Sequence, residues 1–173
     1  MDKELIKGLI AEYQQFVKSV SFVKRAVTLS DNFNYVFVGL RRVGKSYLMY
    51  QQIHHLIETG ISPEEILFFN FEDERIAGMD TEHLDMIKRC YEEMYSHRPI
   101  FFLDEIQIVP HWEQFVRRLA DQKYRVYVTG SNAKMLSKDI ATTLGGRFMI
   151  QYVYPFSFRE YLSSNGVQLD KLW

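Results

Sequence analysis

The stretch that most constrains this chain is Gly-Leu-Arg-Arg-Val-Gly-Lys-Ser at positions 39–46. An apolar run at 35–38 precedes it, and a stretch with helical periodicity at 45–58 follows it. In a strand, glycine loop and helix connected in this order, the backbone N–H groups of the loop form an anion-binding concavity. The helix start adds the positive end of its dipole. The G-x-x-x-x-G-K-S spacing in this context predicts a loop that binds the phosphates of a nucleotide.

Two side chains in the predicted loop have a defined task. Lys45 would place a cation on the β- and γ-phosphates, and the hydroxyl of Ser46 would be a ligand of Mg²⁺. The side chains of Arg41 and Arg42 either contact phosphate or are solvated or paired with acids, and the sequence leaves both readings open. The residues predicted to bind nucleotide are Gly39, Arg41, Arg42, Val43, Gly44, Lys45, Ser46 and Tyr47.

Short apolar runs alternate with helical stretches along the chain. Each run ends in small or polar residues, as strands buried on both faces of a parallel sheet do. The alternation predicts an α/β fold, a three-layer sandwich around a parallel sheet, with ligands at the carboxyl ends of the strands. The predicted strands lie at 35–38, 66–69, 100–103, 126–128 and 148–152, and the predicted helices at about 3–20, 45–58, 81–96 and 111–121.

Two adjacent acids, Asp104 and Glu105, directly follow the apolar run at 100–103. In phosphate-loop proteins an Asp at this strand end binds Mg²⁺, often through water, and a carboxylate directly after it can polarise the attacking water. A solvated turn is the alternative for such a pair taken alone. The chain contains no Asn-Lys-x-Asp, the stretch with which GTPases read guanine. These features together predict ATP as the nucleotide, with hydrolysis as the reaction.

The polar residues after the run at 126–128 predict a further contact with nucleotide. ATPases with a second acid place an additional strand between the phosphate-loop strand and the acidic strand, and this run is the candidate. A polar residue at its end would lie near the γ-phosphate and help position water. Ser131 and Asn132 compete for that role, Ser131 being preferred, and a plain turn is the alternative.

Arg147 is a third predicted catalytic residue. It would reach a γ-phosphate in its own chain or across an oligomer interface, as arginine fingers do. The alternative is an arginine that pairs with an acid at the start of the next strand.

The net charge of −1 provides no general attraction to nucleic acid or to an anionic membrane. Four basic residues, Arg117, Arg118, Lys123 and Arg125, form either a solvated face or a local contact with DNA. The five histidines and Cys90 show no zinc-binding spacing. Without an apolar leader or a membrane-length apolar run in these residues, we expect one cytoplasmic domain that does not bind membranes.

Six segments together resemble a known family: 39–46, Asn-Phe-Glu-Asp at 70–73, Leu-Asp-Glu-Ile-Gln at 103–107 followed by Trp112, Thr-Gly-Ser-Asn at 129–132, Gly-Gly-Arg-Phe at 145–148, and Tyr-Pro-Phe-Ser-Phe-Arg-Glu-Tyr at 154–161. They are similar to the prokaryotic AAA-type ATPases, which are related to archaeal and signal-transducing switch ATPases. The resemblance implies the sheet order 5-1-4-3-2 and ATP with Mg²⁺ as ligands. It also implies nucleotide-site roles for Lys45, Ser46, Asp104, Glu105 and Ser131.

The resemblance also divides the chain. We expect an N-terminal amphipathic helix and lead-in at 1–30, an ATPase core at 31–162, and at 163–173 the start of a C-terminal region that members of the family usually continue. The apolar end at 169–173 would then meet a protein partner or another copy of the chain. Two functions stay open: an ATPase, and a nucleotide-dependent switch with little turnover.

Overall fold

A computed structural model describes residues 2–131 and 139–165 of the chain. The five strands are β1 (Asn34–Val38), β2 (Ile66–Asn70), β3 (Ile100–Asp104), β4 (Val126–Gly130) and β5 (Phe148–Tyr152). The helices are α1 (Lys3–Ser19), α2 (Lys45–Glu58), α3 (Thr81–Met94), α4 (Trp112–Asp121), α5 (Asp139–Thr143) and α6 (Phe158–Ser164). Three single 3-10 turns lie at Pro63–Glu65, Glu74–Ile76 and Ile106–Ile108.

The strands form one parallel sheet in the order β2-β3-β4-β1-β5, which confirms the predicted order. The register pairs Asn70 with Asp104 at the last residues of β2 and β3. On the other side, Val38 at the end of β1 pairs with Gly130 at the end of β4. Val38 also pairs with Tyr152, the last residue of β5. The carboxyl ends of all five strands, and the loops that follow them, therefore lie along one edge of the sheet. We call this the carboxyl edge.

Strand formation follows from the apolar runs, because every residue of β3 and β4 is buried, as a central strand of a covered parallel sheet requires. Helix α1 packs against β2 and α3 through its apolar stripe. The ring of Tyr13 meets Phe68 and Phe69 edge-on, at 5.8 and 5.5 Å between ring centroids. Its hydroxyl donates to Asp73 Oδ2 at 2.6 Å. The helix predicted at 3–20 is thus a packed part of this domain.

Two short helices, α5 and α6, are absent from the sequence prediction, because seven residues or fewer give too little periodicity to recognise. Helix α6 begins with a local cap at Ser157, the residue before it. The hydroxyl and the backbone N–H of Ser157 both donate to Glu160 Oε2, at 2.9 and 2.8 Å. Among the described residues, no helix combines the length and apolar character needed to cross a bilayer.

Gly39, the first residue of the loop after β1, lies against the backbone that follows β5. The N–H of Val153 donates to Val38 O at 2.7 Å and so continues the β1–β5 pairing beyond β5. A Cβ at Gly39 would lie 2.3 Å from the carbonyl oxygen of Val153. Since that oxygen belongs to the backbone, a side chain here would force the two segments apart, and glycine is required for their close approach.

We expect Gly39→Ala to lower the free energy of unfolding by about 1–3 kcal/mol, the usual range for a forced overlap in a packed region. The matched control is Gly8→Ala on the exposed face of α1, where a Cβ meets no atom within 4 Å. That change should raise stability by roughly 0.5–1 kcal/mol, because alanine favours the helix. Urea unfolding of both variants measures the difference. Equal effects of the two substitutions would contradict the close approach.

Candidate active site

A cavity of about 650 Å³ opens at the carboxyl edge between the β1–α2 loop, the end of β3 and the segment after β5. The acids Glu72 and Glu105 face it from the ends of β2 and β3. Val23, Pro155 and Phe156 form an apolar wall. Of the residues predicted to bind nucleotide, all but Gly39 line this cavity: Arg41, Arg42, Val43, Gly44, Lys45, Ser46 and Tyr47.

The loop reaches its shape through left-handed backbone at two positions. Arg42 has φ 64°, and Gly44, the N-cap of α2, has φ 92°. Gly44 has no side chain that could cap the helix, so the first N–H groups of α2 are available to a ligand. Backbone of this kind at a helix N-terminus is an anion-binding arrangement.

Lys45 is buried, with 4% of its surface exposed. Its Nζ donates to the carbonyl oxygen of Leu40 at 3.0 Å and lies 3.6 Å from Glu105 Oε1. A buried ammonium needs partners of this kind, and both partners lie beside the cavity. The cation is therefore held at the loop, where an incoming anion could replace the carboxylate as its partner.

Asp104 and Glu105 are bound to β4 through one hydroxyl. Thr129 Oγ1 donates to Asp104 Oδ1 at 2.5 Å and accepts from the backbone N–H of Glu105 at 2.8 Å. Burial raises the pKa of Asp104 to about 6, against the lowering effect of hydrogen bonds from Thr129 and Ser46. From the sequence, Thr129 is recognisable only as part of a strand end. Its contact with both acids depends on the pairing of β3 with β4.

Glu105 has left-handed backbone, with φ 53°, which turns the chain sharply after β3. Its Oε2 accepts from Ser131 Oγ at 2.8 Å and from the side-chain amide of Gln107. With Lys45 near Oε1, both carboxylate oxygens are engaged. The structure thus places Ser131 against Glu105, while its competitor Asn132 lies outside the described residues.

The donors at this site suit a metal shared with phosphate. Within residues 2–131 and 139–165, no three His, Cys, Asp or Glu side chains converge on one point. Ser46 lies close enough to Asp104 to lower the pKa of that carboxyl, and the two residues provide one hydroxyl and one buried carboxylate. Mg²⁺ is ordinarily held by one or two such oxygens together with phosphate and water. The residues therefore fit a magnesium ion that arrives with a nucleotide.

Two of the predicted arginines, Arg41 and Arg147, are paired with acids in this structure. Arg41 is largely exposed, and its Nη2 lies 2.9 Å from Glu72 Oε1 at the cavity mouth. Arg147 immediately precedes β5, and β5 starts beside the first residue of β1. At the usual rise per residue of a strand, Arg147 lies about 17 Å from the carboxyl end of β5. Its Nε donates to Asp121 Oδ1 at 2.6 Å. The parallel strand direction thus puts Arg147 at the edge of the sheet opposite this chain's own cavity.

The sequence reasoning did not assign Val23, Arg25, Pro155 or Phe156 to the site. Residues 155 and 156 belong to a segment that carried the family resemblance, but no chemical pattern linked them to the loop. Val23 and Arg25 stand in a stretch with neither periodicity nor motif. Val23 lines the cavity and Arg25 lies beside it, because tertiary contacts join the segment before β1 to the loop and to the segment after β5.

Residues 31–162 match a family model described as "AAA domain". The chain belongs to this AAA family. The match covers all five strands and every site residue that the sequence predicted, and it confirms the resemblance seen in the sequence.

Two curated relatives extend the comparison. An uncharacterized protein of Methanocaldococcus jannaschii is 32% identical over 171 residues, which is 98% of this chain and 37% of the relative. An uncharacterized protein of Haemophilus influenzae is 35% identical over 162 residues, 88% of this chain and 40% of the relative. The chain thus spans about two fifths of each of these relatives.

Solved structures show the same fold at low sequence identity. Hsp104 of S. cerevisiae, in a complex with ADP, superposes with a TM-score of 0.56 at 15% identity, over 96% of this chain and 26% of that one. DnaA of Aquifex aeolicus, bound to AMPPCP, gives a TM-score of 0.52 at 14% identity, over 96% of this chain and 51% of that one. Both similarities support the phosphate-loop α/β fold.

The raised pKa of Asp104 has a consequence for stability. Because the folded state holds this proton more tightly than the unfolded chain does, the contribution of Asp104 to stability is present below about pH 4. It is lost as the pH rises through about 6. Asp104→Asn removes this dependence. Relative to the wild type, the variant should gain up to about 3 kcal/mol between pH 4 and pH 7.5, the equivalent of a shift of about two pKa units.

Unfolding of both proteins by urea, in EDTA and without nucleotide, measures this gap at the two pH values. Other titrating groups cancel in the comparison. A stability difference that does not change with pH would contradict the burial of an ionisable carboxyl at this position.

Proposed function

We propose that this chain is an ATP-binding domain that hydrolyses ATP with Mg²⁺. The observation that carries the proposal is the meeting of a buried lysine and a buried carboxylate at one cavity: Lys45 Nζ lies 3.6 Å from Glu105 Oε1, beside an uncapped helix N-terminus. The lysine and the helix end suit a polyphosphate, and the carboxylate suits the activation of water.

Binding of the triphosphate would use the loop N–H groups and Lys45. The Lys45 ammonium would exchange Glu105 for phosphate oxygens and would keep its hydrogen bond to the carbonyl oxygen of Leu40. Ser46 and Asp104 would hold Mg²⁺, Asp104 through water. When bound, Mg²⁺ supplies positive charge that neutralises the oxygens of the transferred phosphoryl group.

Glu105 would then accept a hydrogen bond from the attacking water and orient it. Exchange of Lys45 from Glu105 to phosphate would release Oε1 for this role, while Ser131 continues to hold Oε2. The left-handed turn at Glu105 and the Thr129 bond to its N–H fix the backbone from which the side chain extends. The general-base role suits a carboxylate within reach of the same cavity as the cation.

The apolar wall formed by Val23, Pro155 and Phe156 supports a base-bearing ligand in place of a simple polyphosphate. An aromatic ring and aliphatic carbons offer stacking and van der Waals contact to a purine face. The absence of Asn-Lys-x-Asp from the sequence supports ATP over GTP.

A nucleotide-dependent switch with little turnover is the second candidate, and the surroundings of Glu105 favour it. The amide of Gln107 donates to Glu105 Oε2, and its Oε1 is buried without a hydrogen-bond partner among the described residues. A carboxylate held on both oxygens is poorly placed to accept from water. If nucleotide binding leaves these bonds intact, the domain would bind ATP and hydrolyse it slowly.

The proposal for partners is limited to the surfaces that the structure describes. Arg147 lies at the opposite edge from this chain's cavity, so an arginine-finger role would be exercised in the site of a neighbouring copy. For nucleic acid, Arg118 is already paired with both oxygens of Asp85 at 2.8 Å. This neutralises part of the basic group and supports the solvated-face reading.

Two substitutions separate binding from turnover. Lys45→Ala should weaken ATP binding by at least about tenfold, because it removes a charge-assisted contact with phosphate. Glu105→Gln should bind ATP and lose about 100-fold or more in turnover, the usual contribution of a general base. Lys18→Ala, on the exposed face of α1, and Glu82→Gln, at the exposed start of α3, are the matched controls. Calorimetric binding and phosphate release are the two measurements.

Each outcome selects one function. ATP binding with phosphate release that Glu105→Gln abolishes supports the ATPase. Binding without release above background in the wild type supports the switch. No binding of ATP by the wild type would overturn both.

A further inference from the structure

The buried side chain of Arg25 lies next to the nucleotide cavity and takes no part in the chemistry proposed above. Only 8% of its surface is exposed. Its Nη1 donates to Val43 O at 3.0 Å, and its Nη2 donates to Tyr154 O at 2.8 Å and to Pro155 O at 3.3 Å. The guanidinium thus bonds the phosphate loop and the segment after β5 at the same time.

A carboxylate completes this arrangement. Arg25 Nε lies 3.3 Å from Glu160 Oε1, and Glu160 is also held by Ser157 at the start of α6. The hydrogen bond from Arg25 lowers the pKa of Glu160 to about 2, so the carboxylate is charged at neutral pH. The Arg25 Cζ atom lies 4.8 Å from the centroid of the Phe156 ring, over its face. The donors and both charges are therefore satisfied inside the protein, which a buried arginine requires.

The backbone of Arg25 is fixed to the helix that follows the loop. Its N–H donates to Gln51 Oε1 at 2.7 Å, and Gln51 Nε2 donates back to Arg25 O at 3.1 Å. Gln51 belongs to α2. The guanidinium therefore extends from a rigid base, and its position relative to the loop is set by α2.

Two of these bonds act directly on the cavity wall. Because a trans peptide points its C=O and N–H in opposite directions, holding Val43 O toward Arg25 turns the N–H of Gly44 away from Arg25. Gly44 lines the cavity and caps α2. The contacts with Pro155 O and the Phe156 ring fix the apolar wall. One side chain thus orients both the phosphate-binding and the apolar parts of the cavity.

We propose that Arg25 is a positioning residue that couples the phosphate loop to the segment 154–161, so that a nucleotide in the cavity stabilises this segment through Arg25. The proposal rests on nucleotide binding at the same cavity. The coupled segment carries four exposed aromatic side chains, Tyr154, Phe156, Phe158 and Tyr161. How firmly these four side chains are held would therefore depend on whether nucleotide is bound.

Hydrogen–deuterium exchange of the full chain, with and without AMPPCP and Mg²⁺, tests the coupling. In the wild type, AMPPCP should slow exchange across 154–161. Arg25→Lys keeps the charge but loses the planar fork that reaches four partners. It should weaken AMPPCP binding about tenfold, the loss that accompanies one charge-assisted hydrogen bond. At saturating AMPPCP it should show no slowing of exchange in this segment.

Arg159→Lys is the matched control, because Arg159 is an exposed arginine of the same segment. It should bind AMPPCP and protect 154–161 as the wild type does. Glu160→Gln is the second variant, and it is used if thermal melting shows that Arg25→Lys does not fold. It leaves the carbonyl contacts of Arg25 in place and removes its charge partner, and it should lose part of the protection.

Full protection of 154–161 in saturated Arg25→Lys, or in folded Glu160→Gln, would overturn the coupling and leave nucleotide binding untouched. AMPPCP binding by the wild type without any slowing at 154–161 would do the same. Failure of the wild type to bind AMPPCP would overturn both this coupling and the proposed function.

Discussion

The arrangement of acids at the carboxyl edge depends on the hydrogen bonds of the Thr129 hydroxyl. It donates to Asp104 and accepts from the N–H of Glu105, so one side chain of β4 sets the position of both acids at the end of β3. These two hydrogen bonds require β3 and β4 to be parallel neighbours in this register. The sheet order therefore does more than build a core, because it brings two carboxylates to the loop that follows β1.

The charges brought together there are unequal. Two buried acids, Asp104 and Glu105, stand beside one buried cation, Lys45. Burial disfavours the ionised form of Asp104 and raises its pKa to about 6. A magnesium ion with a triphosphate would correct this imbalance, since the metal stabilises the ionised Asp104 and the phosphates take Lys45 as a partner. Because burial of these charged groups is unfavourable without a ligand, the site should prefer a ligand that combines a cation with an anionic phosphate chain.

The sequence was informative where function depends on contiguous residues. The loop at 39–46 and the acids after β3 could be recognised because their spacing and the strands before them are local. The contacts of Thr129 and Arg25 could not be recognised, because they depend on strand pairing and on residues that lie 18 or more positions apart in the sequence. The contact of Gln107 with Glu105 depends on the rotamers of the two side chains. The position of Arg147 was within reach of the sequence: a residue before a parallel strand lies at the edge opposite the ligand.

A crystal structure of Glu105→Gln with ATP and Mg²⁺ is the measurement that most directly tests an ATP site at the carboxyl edge. We expect the triphosphate on the backbone of residues 39–46, Lys45 Nζ against phosphate oxygens, and the metal beside Ser46 and Asp104. The base should lie on the wall formed by Val23 and Phe156. A nucleotide bound elsewhere, or a triphosphate in this cavity with Lys45 still directed at residue 105 and away from phosphate, would contradict it.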